Sequence, residues 1–264
     1  MMQTLLFKPA GAVLLLMGVL VLVGCGGGGD SVSASDASSD AVVDATGSVD
    51  EVPSDDAASA TDIVVVDADG NTVIDANSLT SQLDMLALGS LSDAEIAGLM
   101  LMREEEKLAR DVYTALYAEH GSNIFQNIAD SEQSHTDAVL SLLERYALND
   151  PVGDNALGIF TDVDLQQLYD TLVALGTPTL MDALFVGARI EELAIADIQR
   201  LIDEVVDNDD ILLVYNNLLL GSRNHLRAFN RQIESNGWSY TPEYISQAAY
   251  DDIVNSPTER PDNG

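Results

Sequence analysis

Between residues 92 and 235 the apolar positions recur at alternating steps of three and four, the spacing of one face of an α-helix. They do so in four long runs. The first spans about 93–119, opens on Ser92-Asp93-Ala94-Glu95, a capping box with its glutamate three residues after the serine, and ends at Gly121. The second spans about 124–147 and stops at Asn149-Asp150-Pro151. The third starts after Pro178 and continues to about 206, where Asp207-Asn208-Asp209-Asp210 breaks it; the fourth spans about 211–235 and stops at Gly237. A short helix over about 164–175, closed by Gly176, lies in the long connection between the second and third runs. The pattern predicts an all-α chain, a four-helix bundle with a long second-to-third crossover. The segment after Gly237 is expected to pack across the bundle end, with a last short helix.

The flanks read differently. Residues 62–75, DIVVVDADGNTVID, predict a short hairpin around an Asp-Gly-Asn turn, within a lead-in, 62–90, that is otherwise irregular. Asp67, Asp69 and Asn71 look like the start of a calcium loop, but the glycine is misplaced and Ser78 stands where the closing glutamate belongs, so a plain turn is expected. Residues 25–61 form an acidic tether of low complexity. The bundle is expected over 91–253, followed by a disordered tail, 254–264.

The informative positions are polar residues on the apolar stripes. In the second run the stripe is Phe125, Ile128, Glu132, His135, Val139, Leu142 and Tyr146. In the fourth it is Ile211, Tyr215, Leu218, Ser222, His225, Phe229 and Gln232. The first carries Glu106 between Leu99 and Ala109, and the third Glu191 between Ala188 and Ile195. Each helix thus sets a carboxylate, an imidazole or both near the middle of its inward face. Buried carboxylates need partners, and three cannot all remain ionised together without a cation or a proton. Glu106, Glu132, His135, Glu191 and His225 are therefore candidate ligands for iron, with manganese or zinc as alternatives. A purely structural polar layer is the competing reading. Glu105 and Glu192 are neighbours of less central phase, Asp197 lies nearly two turns beyond Glu191, and Tyr113 can reach a ligand carboxylate from two turns beyond Glu106. His120, beside Gly121, suits a helix C-terminus. Arg110 and Arg223 can pair with acids near the site or lie at the surface, and Trp238 is expected to anchor the segment that follows.

These residues resemble the ferritin-like superfamily, particularly its rubrerythrin-type members. EKLARDVY, from Glu106 to Tyr113, is similar to their first-helix Glu-x-x-Ala-Arg-x-x-Tyr, and Glu132 with His135 to their Glu-x-x-His. The phrases EEEKLARDVY, IADSEQSH, LYDTLVALG and GSRNHLRAF resemble most closely an uncharacterised bacterial family within that superfamily, over about Leu91 to Ile253. The resemblance implies a ferritin-like bundle with one or two irons per chain. It also exposes a departure: a carboxylate is wanted three residues before His225, and the chain has Ser222.

Charge and the amino terminus add location. The net charge of -33, with 44 acidic against 11 basic residues, repels nucleic acid. Residues 1–24 place Lys8 before a long apolar run ending Leu-Val-Gly, followed by Cys25, the chain's one cysteine. This resembles a bacterial lipoprotein signal, which implies lipidation of Cys25, membrane attachment and a place in the cell envelope. The expectation is an envelope-anchored, iron-dependent redox protein acting on oxygen or peroxide, a ferroxidase or peroxidase-like oxidoreductase. No Cys-x-x-Cys module is present, so electrons come from an unidentified donor or from iron itself. A homodimer is compatible with the sequence; an iron-storing shell is disfavoured by a lipidated, tethered chain. The alternative is a non-catalytic binding or scaffold module.

Overall fold

The computed structural model describes residues 62–261. The expected signal peptide over 1–24, Cys25 and the expected tether to residue 61 lie outside the described residues. The order is β1 (Val64–Val66), β2 (Thr72–Ile74), α1 (Ala76–Leu83), α2 (Asp93–His120), α3 (Asn123–Arg145), α4 (Val163–Gly176), α5 (Leu180–Glu204), α6 (Asp209–Ser235) and α7 (Gln247–Val254). The chain is all-α apart from the antiparallel β1–β2 pair, in which Val64 faces Ile74 and Val66 faces Thr72. No helix among the described residues is long and apolar enough to cross a membrane.

The four long helices fall within a few residues of the predicted runs because their ends are chemically marked. Ser92 and Glu95 form the reciprocal capping box on α2, and Gly121 ends it in the left-handed region at φ 63°. His120 closes the same end by bonding the Gly176 carbonyl, 2.8 Å from Nε2. α2 packs on α3 and α5 on α6, and the pairs join through α2–α5 and α3–α6 contacts. Leu99, Met102, Leu116, Phe125, Leu142, Ile198, Leu218 and Phe229 are buried in one continuous core. The stripes misjudge a few edges: Gln232 is exposed and Ile233 takes the core position, while Glu95 is buried in its cap.

The long crossover is pinned to α2 by charge as well as by apolar packing, Phe160, Leu165 and Leu168 lying in the common core. Arg103 bonds Asp150 and the Thr136 carbonyl. One turn on, Lys107 pairs with Asp111 and donates to the Ala156 carbonyl, and Asp111 accepts from the Gly158 amide. Glu104 accepts from the Thr161 and Asp162 amides. Residues 103, 107 and 111 share one helix face, so the charged stretch REEEKLARD does two jobs, one face inward to the crossover and another to the site.

Two flanks depart from the sequence reading. The lead-in expected to be irregular contains α1, with Asp75 accepting the Ser78 amide as N-cap and Leu79 and Leu83 buried. The segment expected to be a free tail is tied down through residue 260. Glu259 is held by Arg223 and Arg227, its amide donates to Asn224 Oδ1, and Arg260 donates to the Val66 carbonyl. Half-buried Arg223 and buried Arg227, both on α6, supply the partners that hold it. Trp238 meets Phe185 edge-on but remains 59% exposed, and the buried anchor of its segment is Tyr240. Asp67 accepts the Asp69 and Asn71 amides and the Asn71 side chain, which closes a plain turn.

Candidate metal centre

Glu106 comes from α2, Glu132 and His135 from α3, Glu191 from α5 and His225 from α6, and all five are buried. They form two groups whose potential ligand atoms lie within 4.8 Å of one another: Glu106, Glu132 and His135, and Glu132, Glu191 and His225. Glu132 belongs to both. Its Oε2 lies 3.0 Å from His135 Nδ1, and its Oε1 lies 2.9 Å from His225 Nδ1. Glu106 Oε2 stands 3.5 Å from His135 Nδ1, and Glu191 Oε2 stands 3.6 Å from His225 Nδ1. The arrangement is two carboxylate–imidazole sets sharing one carboxylate, which has one oxygen for each.

The surroundings fix these side chains. Tyr113 donates to Glu191 Oε1 at 2.6 Å, so it is both a core aromatic and a partner of a candidate ligand. His135 Nε2 lies 2.9 Å from the Thr72 carbonyl. That atom can only accept, so Nε2 carries the proton and Nδ1 faces the carboxylates. Gly221, on α6, makes room for this ring: a Cβ there would stand 2.5 Å from His135 Cε1. His225 has no such partner. It is fully buried, yet neither ring nitrogen is in a hydrogen bond, because the carboxylates near Nδ1 lie off the N–H direction.

The electrostatics follow from crowding charge where water cannot reach. Burial, with the Glu132 charge beside it, pushes Glu106 up to about 8. Burial also raises Glu191, against the pull of His225. Glu132 is desolvated too, but the two imidazoles outweigh that and hold it well below the usual carboxylate range. Burial favours neutral His225, but Glu191 and Glu132 prevail and lift it to about 9. His135 is raised for the corresponding reason, its burial outweighed by Glu132 and Glu106. Protons thus balance the carboxylates when no cation does.

The donor set fits divalent metal ions. Three carboxylates and two imidazoles match the oxygen–nitrogen preference of iron, manganese or zinc. His225 Nδ1 is buried, lies 2.9 Å from a carboxylate oxygen and makes no hydrogen bond to it, so it is free to act as a donor atom toward a cation. Ser222 is buried near the site, and its hydroxyl is turned back to the Leu218 carbonyl at 3.2 Å. A cavity of about 20 Å³ adjoins the carboxylates, lined by Glu106, Glu132, Glu191 and Ser222 within and by Glu105, Leu193 and Ala194 at the half-buried side. Glu105 Oε2 is buried without a hydrogen-bond partner, and burial with the nearby Asp197 pushes its carboxyl up.

Other acids near the stripes serve different ends. Glu192 accepts from Tyr240 Oη at 2.7 Å and from the Tyr244 and Ile245 amides, which spends both its oxygens on the segment after α6. Asp197 pairs with Arg200, and Arg110 with Asp111 and Gln133. The residue that sequence reasoning missed is Thr72, whose carbonyl holds His135 from 63 positions away.

Three comparisons give this geometry a setting. An uncharacterized protein of Methanocaldococcus jannaschii, MJ0754, is 51% identical over 170 residues, covering 64% of this chain and 91% of that protein. Its crystal structure aligns with a TM-score of 0.65 at 50% identity, covering 66% of this chain and 99% of that one. Residues 95–257 match the family model described as an uncharacterized protein domain, DUF2202, and the chain belongs to that family.

Proposed function

We propose that this protein is a ferritin-like metal protein whose buried centre holds two divalent ions, iron foremost, and carries out redox chemistry with oxygen or peroxide. The observation that carries this reading is the sharing of Glu132 between two carboxylate–imidazole groups drawn from all four long helices. Glu132 would serve both ions, Glu106 with His135 would hold one, and Glu191 with His225 would hold the other. Bound iron would supply one-electron reduction of the oxidant. The chain's own residues hold the ions apart from bulk water, neutralise their charge with three carboxylates, and keep the Glu191 carboxylate oriented through the Tyr113 hydroxyl. Ser222 supplies no ligand, which leaves room beside the metals on the cavity side.

The cavity also speaks to substrate. Its roughly 20 Å³ holds about one water-sized molecule. That size suits dioxygen or hydrogen peroxide and excludes an organic substrate at the metals without rearrangement of Leu193 or Ala194. Lipidation at Cys25 and attachment in the cell envelope belong to the same proposal, resting on the lipoprotein-like first 25 residues. A second reading, a non-catalytic envelope module with the same fold, is favoured by Ser222 alone.

The test is metal content per chain after anaerobic ferrous loading, beside a Glu132→Ala, His135→Ala variant. The reading expects two irons in the natural chain and loss of both in the variant, followed by oxidation on adding oxygen or peroxide. A folded natural chain that retains no divalent metal would leave the scaffold reading.

A further inference from the structure

The β1–β2 hairpin lies before residue 95, where the family match begins. A two-stranded hairpin is marginally stable alone, and this one is docked by an unusual device. The outer edge of β2 presents unpaired backbone groups, and one face of α3 meets them. Ser131 Oγ accepts the Thr72 amide at 3.2 Å, Ser134 Oγ accepts the Ile74 amide at 3.0 Å, and the Thr72 carbonyl accepts His135 Nε2 at 2.9 Å. Positions 131, 134 and 135 lie on one helix face, and residues 72 and 74 point the same way on a strand. A helix face is therefore matched to a strand edge group by group. Asn224, on α6, adds a bond from Nδ2 to Thr72 Oγ1 at 3.1 Å, and Thr72 is fully buried.

We propose that the hairpin is a working part of the metal centre, with the Thr72 carbonyl as the positioning group that sets which nitrogen of His135 faces the metals. The proposal rests on the two-metal reading above. An imidazole that ligates a metal through one nitrogen commonly has the other fixed by a hydrogen bond, which sets its orientation and raises its basicity. Here the fixing group is backbone from outside the four long helices. Gly221 leaves room at the same end of the ring, since a Cβ there would stand 2.8 Å from Nε2 and 3.5 Å from Thr72 Cγ2. The ring is thus held at its Nε2 end, by the strand and beside α6, with Nδ1 toward Glu106 and Glu132. His225 has no equivalent support among its described contacts. The position built on His135 is accordingly the better organised of the two.

Two full-chain variants test this. Ser131→Ala with Ser134→Ala removes both hydroxyls that hold β2 while substituting a strong helix former. Gly221→Ala crowds the Nε2 end of the ring directly, with a methyl that would meet Cε1 and Nε2. The readouts are the exchange-protected imidazole Nε2–H resonance of His135 in the ¹⁵N-labelled, metal-free protein, and the dissociation constant for cobalt(II). The natural chain should show the protected resonance. Both variants should lose it, keep their helix content, and bind cobalt(II) weaker by roughly 10–100-fold, the usual cost of losing such a supporting bond. Absence of the resonance from the natural chain, or its persistence in both variants, overturns the proposal. So does its loss with no change in cobalt(II) affinity. If the natural chain shows the resonance but takes up no cobalt(II), the two-metal reading fails, and with it the hairpin's role toward a metal, while the hydrogen bond stands.

Discussion

The rings of His135 and His225 lie stacked, with centroids 5.5 Å apart and planes inclined by 18°. Each has its Nδ1 close to Glu132, His135 at 3.0 Å from Oε2 and His225 at 2.9 Å from Oε1. The two positions are therefore chemically linked through a single side chain. Glu132→Ala should abolish binding at both, whereas Glu106→Ala or Glu191→Ala should spare one. Metal analysis of the three variants after identical loading checks this, and equal losses from all three would contradict a bridging Glu132.

Metal uptake should strengthen as pH rises. Without metal, Glu106 keeps its proton up to about 8 and His225 up to about 9. The metal-bound form carries neither proton, so binding releases them, and affinity must increase with pH across 7–9. Calorimetry in buffers of different ionisation enthalpy should count more than one proton released per chain at pH 7. A count of zero would mean that both groups have already lost their protons at that pH.

Ser222→Glu places a carboxylate one turn before His225, where Ser222 now bonds only its own helix. If the natural centre lacks one ligand, this variant should hold iron at least ~10-fold more tightly, the scale on which single ligand-shell changes act. If the buried residues are only a polar layer, it should add an uncompensated charge, lower stability by several kcal/mol, and recruit no metal. Iron titration and thermal melting on the same sample separate these outcomes.

Glu192→Ala addresses the adjacent acid. Glu192 bonds Tyr240, Tyr244 and Ile245. Its removal leaves buried donors unpaired, at about 1–3 kcal/mol. Urea unfolding should show that loss while metal stoichiometry stays unchanged. A change in stoichiometry would instead give Glu192 a place in the site.

Much of this was legible from residue order because helices write their geometry locally. The stripes around Glu132 with His135 and around His225 follow from periodicity alone, and the structure brings those residues together with Glu106 and Glu191. Choosing Glu191 over Glu192 turned on phase, one step of 100°, and the two side chains do face different partners. α1 was missed although Asp75, Leu79 and Leu83 mark it, because eight residues carry too few turns for a periodic signal. The ordered tail is not legible because Arg223 is open between an acid partner and the surface, and only the fold brings Glu259 back to it and to Arg227. Thr72 was beyond reach, since its part is played by a backbone carbonyl and backbone atoms leave no mark on composition.

The Thr72 contacts also bear on the order in which the chain becomes competent. They span 63 positions to His135 and 152 to Asn224. Doubling the length of a closed loop adds only about 0.6 kcal/mol, so reach is not the obstacle. Ser131 and Ser134 stand on α3 and Asn224 on α6, so the whole landing place exists only where those two helices meet. The hairpin, although first in the chain, cannot complete its contacts before they do. A chain still folding offers scattered carboxylates, and only the finished one offers a clamped His135 beside Glu132. Completion of folding and readiness for metal are then one event.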